Sequence, residues 1–281
     1  TGLTNGTSYS GTGLANNAFG QSPYSAATSG TPEQLQLGLF FNGQAGAGGL
    51  NYIEQRNLSS TGNASDFGDT SAAKYYSSAL GNNTRAIVGG GYTSGGSPVI
   101  NVIEYVTFAS ASNTTDFGDL SAVRFTCATG SNSTRGLFLG GSDASGAVNV
   151  IEYITIASTG NVTDFGDMLM AISYIGGGIS SPTRSVTVGG FNEGAGAFSD
   201  VLQYVTIAST GNATDFGDLS SAFYNGSALS SSTRGITGVA YMGGAVNTME
   251  YITIASTGNS TDFGDLTVAR QGGAAAAGLT Y

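Results

Sequence analysis

The side chains in this sequence best suited to chemistry are carboxylates, and they recur in a fixed pattern. The tetrad Asp-Phe-Gly-Asp begins at Asp66, Asp116, Asp164, Asp215 and Asp262. Each copy sets two carboxylates with two residues between them, beside Asn and Thr. Such oxygens can coordinate Ca2+, and Asp116, Asp119, Asp164, Asp167, Asp215 and Asp218 are the candidates. One pair supplies few ligands, however, and its spacing is not that of a known calcium loop. The reading that follows is that no cofactor is held. The aspartates should cap backbone N–H groups in turns and pair with a repeated Arg. A second series, Glu54, Glu104, Glu152 and Glu250, with Gln203 in the same place, could be read as glycosidase acids. A catalytic pair breaks the symmetry of a repeat, whereas these residues obey it.

Other routes to catalysis are poorly supplied. The chain has no His, hence no imidazole base or imidazole metal ligand. Asp-Phe-Gly also matches the magnesium-binding motif of protein kinases, but it occurs five times here, without the phosphate loop or catalytic loop of those enzymes. Cys127 is the single cysteine. It can form no disulfide framework within the chain and is expected to fill a small buried position. The chain is therefore not expected to be an enzyme.

The elements that position these residues are repeated with them. The tetrads are spaced by 47 to 51 residues, and Thr-Arg recurs at a similar period, at Thr84-Arg85, Thr134-Arg135, Thr183-Arg184 and Thr233-Arg234. Two markers keeping one period specify a propeller or solenoid built from one supersecondary unit. In the unit 121–168, four short strands are expected. They are Phe125 to Ala128, Arg135 to Leu139 closed by Gly140-Gly141, Asn149 to Ile156, and Thr163 to Asp167 with its exit. Gly-rich segments separate them, and the third is rich in β-branched and aromatic residues. Such a sheet cannot bury both faces alone, so units must stack. Phe67, Phe117, Phe165, Phe216 and Phe263 should pack between units. Arg85, Arg135, Arg184 and Arg234 should form ion pairs or carbonyl hydrogen bonds across units.

Composition agrees with a turn-rich β protein. Of 281 residues 46 are Gly, 9% are charged and the net charge is −10. Basic residues are spread through the chain, which argues against nucleic acid. No apolar run approaches the length of a membrane span, and no signal peptide is visible. Thr at position 1 fits a processed chain or a piece of a longer polypeptide.

The repeat resembles the kelch motif, in which a Gly pair closes the second strand, a Tyr and an outer aromatic follow, and an Arg opens the next unit. The Gly pairs assigned are Gly89-Gly90, Gly140-Gly141, Gly189-Gly190 and Gly243-Gly244, with Asn42-Gly43 in the first unit. The Tyr positions are Tyr105, Tyr153, Tyr204 and Tyr251. The opening Arg is kept at Arg124 and Arg270, becomes Lys74, and is lost at Ile172 and Phe223. The resemblance implies an all-β, five-bladed propeller over 32–281, with blades at about 32–70 plus 269–281, 71–120, 121–168, 169–219 and 220–268. Residues 1–31 form an arm or linker. Ala269 to Tyr281 would supply the inner strand of the first blade and so close the ring. The rival is Tyr24 to Thr28 in that role, which leaves the C-terminal segment free to enter a neighbouring copy.

The wording from Met249 to Leu266, with close copies at 151–168 and 202–219, also resembles kelch-like propellers in structural proteins of marine tailed phages. That implies a tail fibre, appendage or decoration component on a virion surface. Its expected partners are other virion proteins, copies of itself and a host-surface polysaccharide. Recognition is expected in the loops after the Gly pairs, at Tyr92, Ser94, Asp143, Ser145, Asn192 and Glu193. The alternatives are a subunit of an extracellular filament or surface layer, and a kelch adaptor for protein partners. The adaptor is disfavoured because no stretch of the sequence gathers a basic or aromatic binding face.

Overall fold

The computed structural model describes residues 9–11, 16–17, 20–21, 28–30, 37–46, 48–58, 60–93, 99–175, 177–238 and 240–270. The fold is an all-β, five-bladed β-propeller, and no helix occurs among the described residues. The chain divides into two compact units. One comprises Thr1–Gly38 with Asn57–Thr61, and the other Leu39–Arg56 with Gly62–Tyr281. The described part of the first contains two short ladders, Tyr9–Gly11 with Thr28–Gly30 and Asn16–Asn17 with Gly20–Gln21. The second unit carries the blades.

The third blade shows the plan. Its strands are Ala128–Ser131, Arg135–Leu139, Val150–Thr155 and Thr163–Asp167, antiparallel and in that order from inside to outside. The second blade (78–119), the fourth (178–223) and the fifth (227–270) repeat it. In the first, Leu37–Phe41, Gly48–Asn57 and Ser65–Tyr75 hold the second to fourth places. The strand expected to complete it falls at 271–281, outside the described residues. Ala269 and Arg270 end the fifth blade's outer strand, with Arg270 opposite Val246. Of the rival segment only Thr28 is described.

The innermost strand begins later than its apolar run suggested. Phe125 makes only a single bridge to Ser142, and the strand starts at Ala128. The cause lies at Thr126, whose φ of 53° is left-handed and turns the chain away from the ladder. Tyr76, Tyr174 and Asn225 hold the same place, with φ of 57°, 46° and 54°.

Two Gly pairs also move. The residues equivalent to Gly140-Gly141 are Gly90-Gly91, since Gly91 N–H bonds the Arg124 carbonyl as Gly141 N–H bonds that of Ile172. In the fifth blade Ala240, not a glycine, holds the second place: its carbonyl accepts from Val246 as the Gly141 carbonyl accepts from Val148. Gly243 and Gly244 sit further on, within the loop.

The core lies between blades. Leu137, Leu139, Ile151 and Phe165 of the third blade pack on Val205, Ile207 and Ala213 of the fourth. The fourth and fifth repeat this through Val186, Val188, Leu202, Phe216, Ile252 and Ile254. The tetrads explain how Phe reaches that space. Ile151 is opposite Gly166 but Glu152 is opposite Asp164, so Phe165 is the extra residue of a β-bulge. The same register shift occurs beside Phe67, Phe117, Phe216 and Phe263. The tetrad Gly has a stricter reason than a tight turn. Gly166 has φ of 143°, and a Cβ there would lie 2.6 Å from the Gly211 carbonyl of the next blade. Only glycine satisfies both demands.

Candidate functional site

The repeated polar residues join blades to one another. Arg85, Arg135 and Arg184 lie over the rings of Tyr105, Tyr153 and Tyr204, with the guanidinium carbon 4.4 to 4.6 Å from the ring centroid. Each also donates to a carbonyl of the following blade, at Ile156 (2.8 Å), Ile207 (3.0 Å) and Ile254 (3.0 Å). The carbonyl hydrogen bonds match expectation, and the cation–π contact adds to them. Arg234 stacks on Tyr251 in the same way at 4.5 Å. The four Tyr rings stand edge-on to Phe117, Phe165, Phe216 and Phe263.

The expected pairing of these arginines with the tetrad aspartates does not occur. The guanidinium groups of Arg85, Arg135 and Arg184 are taken up by ring and carbonyl, and that of Arg234 lies over its ring. Two ion pairs are formed elsewhere among the described residues, Lys74–Glu104 (2.5 Å) and Arg124–Glu152, both buried between blades. The signal was present in the sequence. Where the basic residue becomes Ile172, its acidic partner becomes Gln203. Where the basic residue becomes Phe223, the acidic residue Glu250 is kept and is served by Ser220 and Ser260 instead. The carboxyl of Glu104 would be raised by burial, but the Lys74 ammonium and hydrogen bonds from Lys74 and Ser71 bring it below its usual value.

The calcium candidates sit on outer strands. Asp116, Asp164, Asp167, Asp215 and Asp218 are exposed and Asp119 is half-exposed. Among the described residues no three His, Cys, Asp or Glu side chains gather as a metal site. The backbone N–H groups of Asp119, Asp167 and Asp218 bond Asn161, Asn212 and Asn259 of the next blade. Side-chain capping is seen at Asp262, which accepts from Gly264 N–H. Cys127 is partly buried, and desolvation pushes its thiol up.

Sequence reasoning missed a surface of clustered aromatic rings among the described residues. Nine aromatic rings join, mostly edge to face, from the first blade to the fifth, on the side carrying the loops after the Gly pairs. Tyr75 meets Tyr76 and stacks on Tyr92 (centroids 5.8 Å apart). Phe125 touches Tyr92 (5.0 Å) and Tyr174 (6.4 Å). Tyr174 meets Tyr224 (6.2 Å), which stacks on Phe198 (4.7 Å) and meets Phe191 and Tyr241. Tyr76 is 52% exposed and the others are half-buried. The series is invisible to a search for local aromatic stripes, because its members are spread over successive repeats. The signal was the spacing of Tyr75, Phe125, Tyr174 and Tyr224, which keeps the period of the tetrads.

The expected recognition residues border this surface unequally. Tyr92 belongs to it. Asp143 orders its own loop by accepting from Ser145 and Gly146 N–H, and Ser145 is exposed at that loop's tip. Asn192 accepts from Ala195 N–H. Glu193 ties two blades, accepting from Ala147 N–H (2.8 Å) and the Ser173 hydroxyl (3.2 Å). Ser94 lies outside the described residues. Burial, with Tyr76, Glu193, Tyr92 and Tyr224 nearby, raises the Tyr174 hydroxyl, so it is a neutral donor at physiological pH. Beside Phe125, the buried hydroxyls of Thr126 and Ser142 have no hydrogen-bond partner among the described residues. The site therefore offers aromatic faces, neutral hydroxyl donors and an acidic flank at Glu193 and Asp143. Compared with known protein families and with curated proteins, the chain gives no match.

Proposed function

We propose that this chain is a non-catalytic recognition scaffold whose aromatic face holds a neutral surface polysaccharide. The supporting observation is the continuous series of nine rings, six of them tyrosines, on a framework whose repeated polar groups are used to join its blades. Sugar rings present C–H faces that stack on Tyr and Phe, and hydroxyls that exchange hydrogen bonds with the Tyr edges. Each such contact is weak, so a role in attachment requires many copies on one particle. A virion appendage meets that requirement, and the wording of the repeat from Met249 to Leu266 favours that setting. The polysaccharide would be that of a host cell surface.

Binding of the purified protein to immobilised bacterial surface polysaccharides tests this reading. Tyr224→Ala and Tyr174→Ala should each weaken binding about tenfold, equivalent to about 1.4 kcal/mol. Full binding by both variants, or a wild-type protein that retains no polysaccharide, refutes it. The virion setting is tested separately by peptide mass spectrometry on density-purified particles. Enrichment there supports an appendage, and recovery only from cell-surface material refutes it.

A further inference from the structure

Four blade-to-blade interfaces repeat one set of contacts, and the residues for a fifth set are present but not joined. In the formed interfaces a tetrad Phe is covered by the next blade. Phe67, Phe117, Phe165 and Phe216 are all buried, whereas Phe263 of the fifth blade is 43% exposed. A Cβ on Gly166 or Gly217 would strike the next blade, yet one on Gly264 would meet nothing within 4 Å. Lys74 and Arg124 reach a Glu on the next blade. Their counterpart Arg270 is exposed, and so is Glu54, the matching residue of the first blade. Among the described residues no hydrogen bond or ion pair joins the two.

The first blade bears the complementary half. Phe40 and Tyr52 hold the places of Phe138 and Val150 and are 58% and 56% exposed. In the second interface Phe138 packs against Gly89, and the fifth blade offers Gly238 at that position. Asn63 corresponds to Asn161, whose side chain accepts from Asp119 N–H. The matching N–H on the fifth blade is that of Asp265. One face thus presents Arg270 and a bare Phe263, and the other presents Glu54, Phe40 and Tyr52. They match in shape the Phe packing the molecule uses four times, and in charge the ion pair it uses twice.

We propose that the fifth-blade face of one copy seats on the first-blade face of a second copy, head to tail, with Arg270 paired to Glu54. Among the described residues of one chain, no hydrogen bond, ion pair or ring contact joins the fifth blade to the first. A heterologous contact that does not close on itself joins successive molecules. Exposed apolar side chains on both faces supply the driving force, and the ion pair sets the register. The surface and the partner are separate from the aromatic site.

Sedimentation velocity between about 1 and 200 μM, with site-directed cross-linking in a Cys127→Ser background, tests the proposal. The wild-type protein should sediment faster as concentration rises. Glu54→Arg and Arg270→Glu should each remain monomeric, and an equimolar mixture of the two should associate again, because each restores a partner for the other. That rescue excludes misfolding as the cause of the single defects. Mixed Asn63→Cys and Asp265→Cys chains should form disulfide-linked dimers. A monomeric wild-type protein at every concentration would overturn the proposal. So would a double-cysteine chain that links only within itself, since the ring would then close in one molecule.

Discussion

The buried Arg124–Glu152 pair permits a quantitative test, because the fold contains its own control. Both side chains are nearly inaccessible, at 2% and 3% exposure. Arg124 donates to Glu152 and to the carbonyls of Gly140 (3.3 Å) and Val150 (3.1 Å). Burial lowers its pKa, the sign of a charge held at a desolvation cost. Glu152→Leu leaves a guanidinium buried against carbonyls alone, and Arg124→Met leaves a carboxylate with only Ser121 N–H at 3.2 Å. Each single change should cost about 3–5 kcal/mol. The fourth blade shows the uncharged solution. Ile172 is fully buried at the equivalent site, and Gln203 accepts from Leu169 N–H at 2.7 Å while its Nε2 lacks a partner. Transplanting that solution as Arg124→Ile with Glu152→Gln should therefore cost only about 1–2 kcal/mol, roughly the orphaned amide donor. Urea denaturation of the wild-type protein, Arg124→Ile, Glu152→Gln and the double variant yields the coupling energy. A coupling above about 2 kcal/mol is expected. A value below about 0.5 kcal/mol, or a double variant as unstable as the sum of its singles, refutes the argument that unpaired charge dominates.

Two further predictions follow from the blade interfaces. Glu104 has a folded pKa below the ordinary 4.5, so its contribution is fully present above that value and is lost as pH falls through the lower folded one. Stability measured from pH 6 down to pH 2 should show this loss, and Glu104→Gln should flatten that part of the profile; an unchanged slope contradicts the assignment. Gly166 and Gly211 face each other across one interface with φ of 143° and 156°, but only a Cβ on Gly166 meets backbone. Gly166→Ala should cost about 2–4 kcal/mol and Gly211→Ala about 1 kcal/mol, strain alone; equal losses in thermal denaturation would show that close approach is not what selects glycine.

The architecture was legible in the sequence because a fifty-residue period forces one sheet to be made again and again. Strand-forming runs such as Val150–Thr155 and the Gly-rich breaks between them leave few other solutions for each unit. Local pattern failed where a single backbone angle decides. The apolar run Phe125–Ala128 reads as a strand, but left-handed Thr126 delays the ladder to Ala128. It failed again at Gly243-Gly244, because only hydrogen-bond register shows that Ala240 holds the place of the second glycine.

The sequence by itself determined the repeat, the strands and the residues held in common between blades, since these follow from local propensity and periodic burial. The tertiary structure decided what those residues do. Phe165 enters the core through a bulge, and Arg135 finds a ring on its own blade and a carbonyl on the next. The aromatic face exists only once residues about fifty positions apart are brought side by side. The bare faces of the first and fifth blades likewise emerge only by comparison with four formed interfaces. A one-dimensional pattern can specify each unit and the spacing between units. Contacts between units depend on the rotation from one blade to the next, which no single repeat encodes.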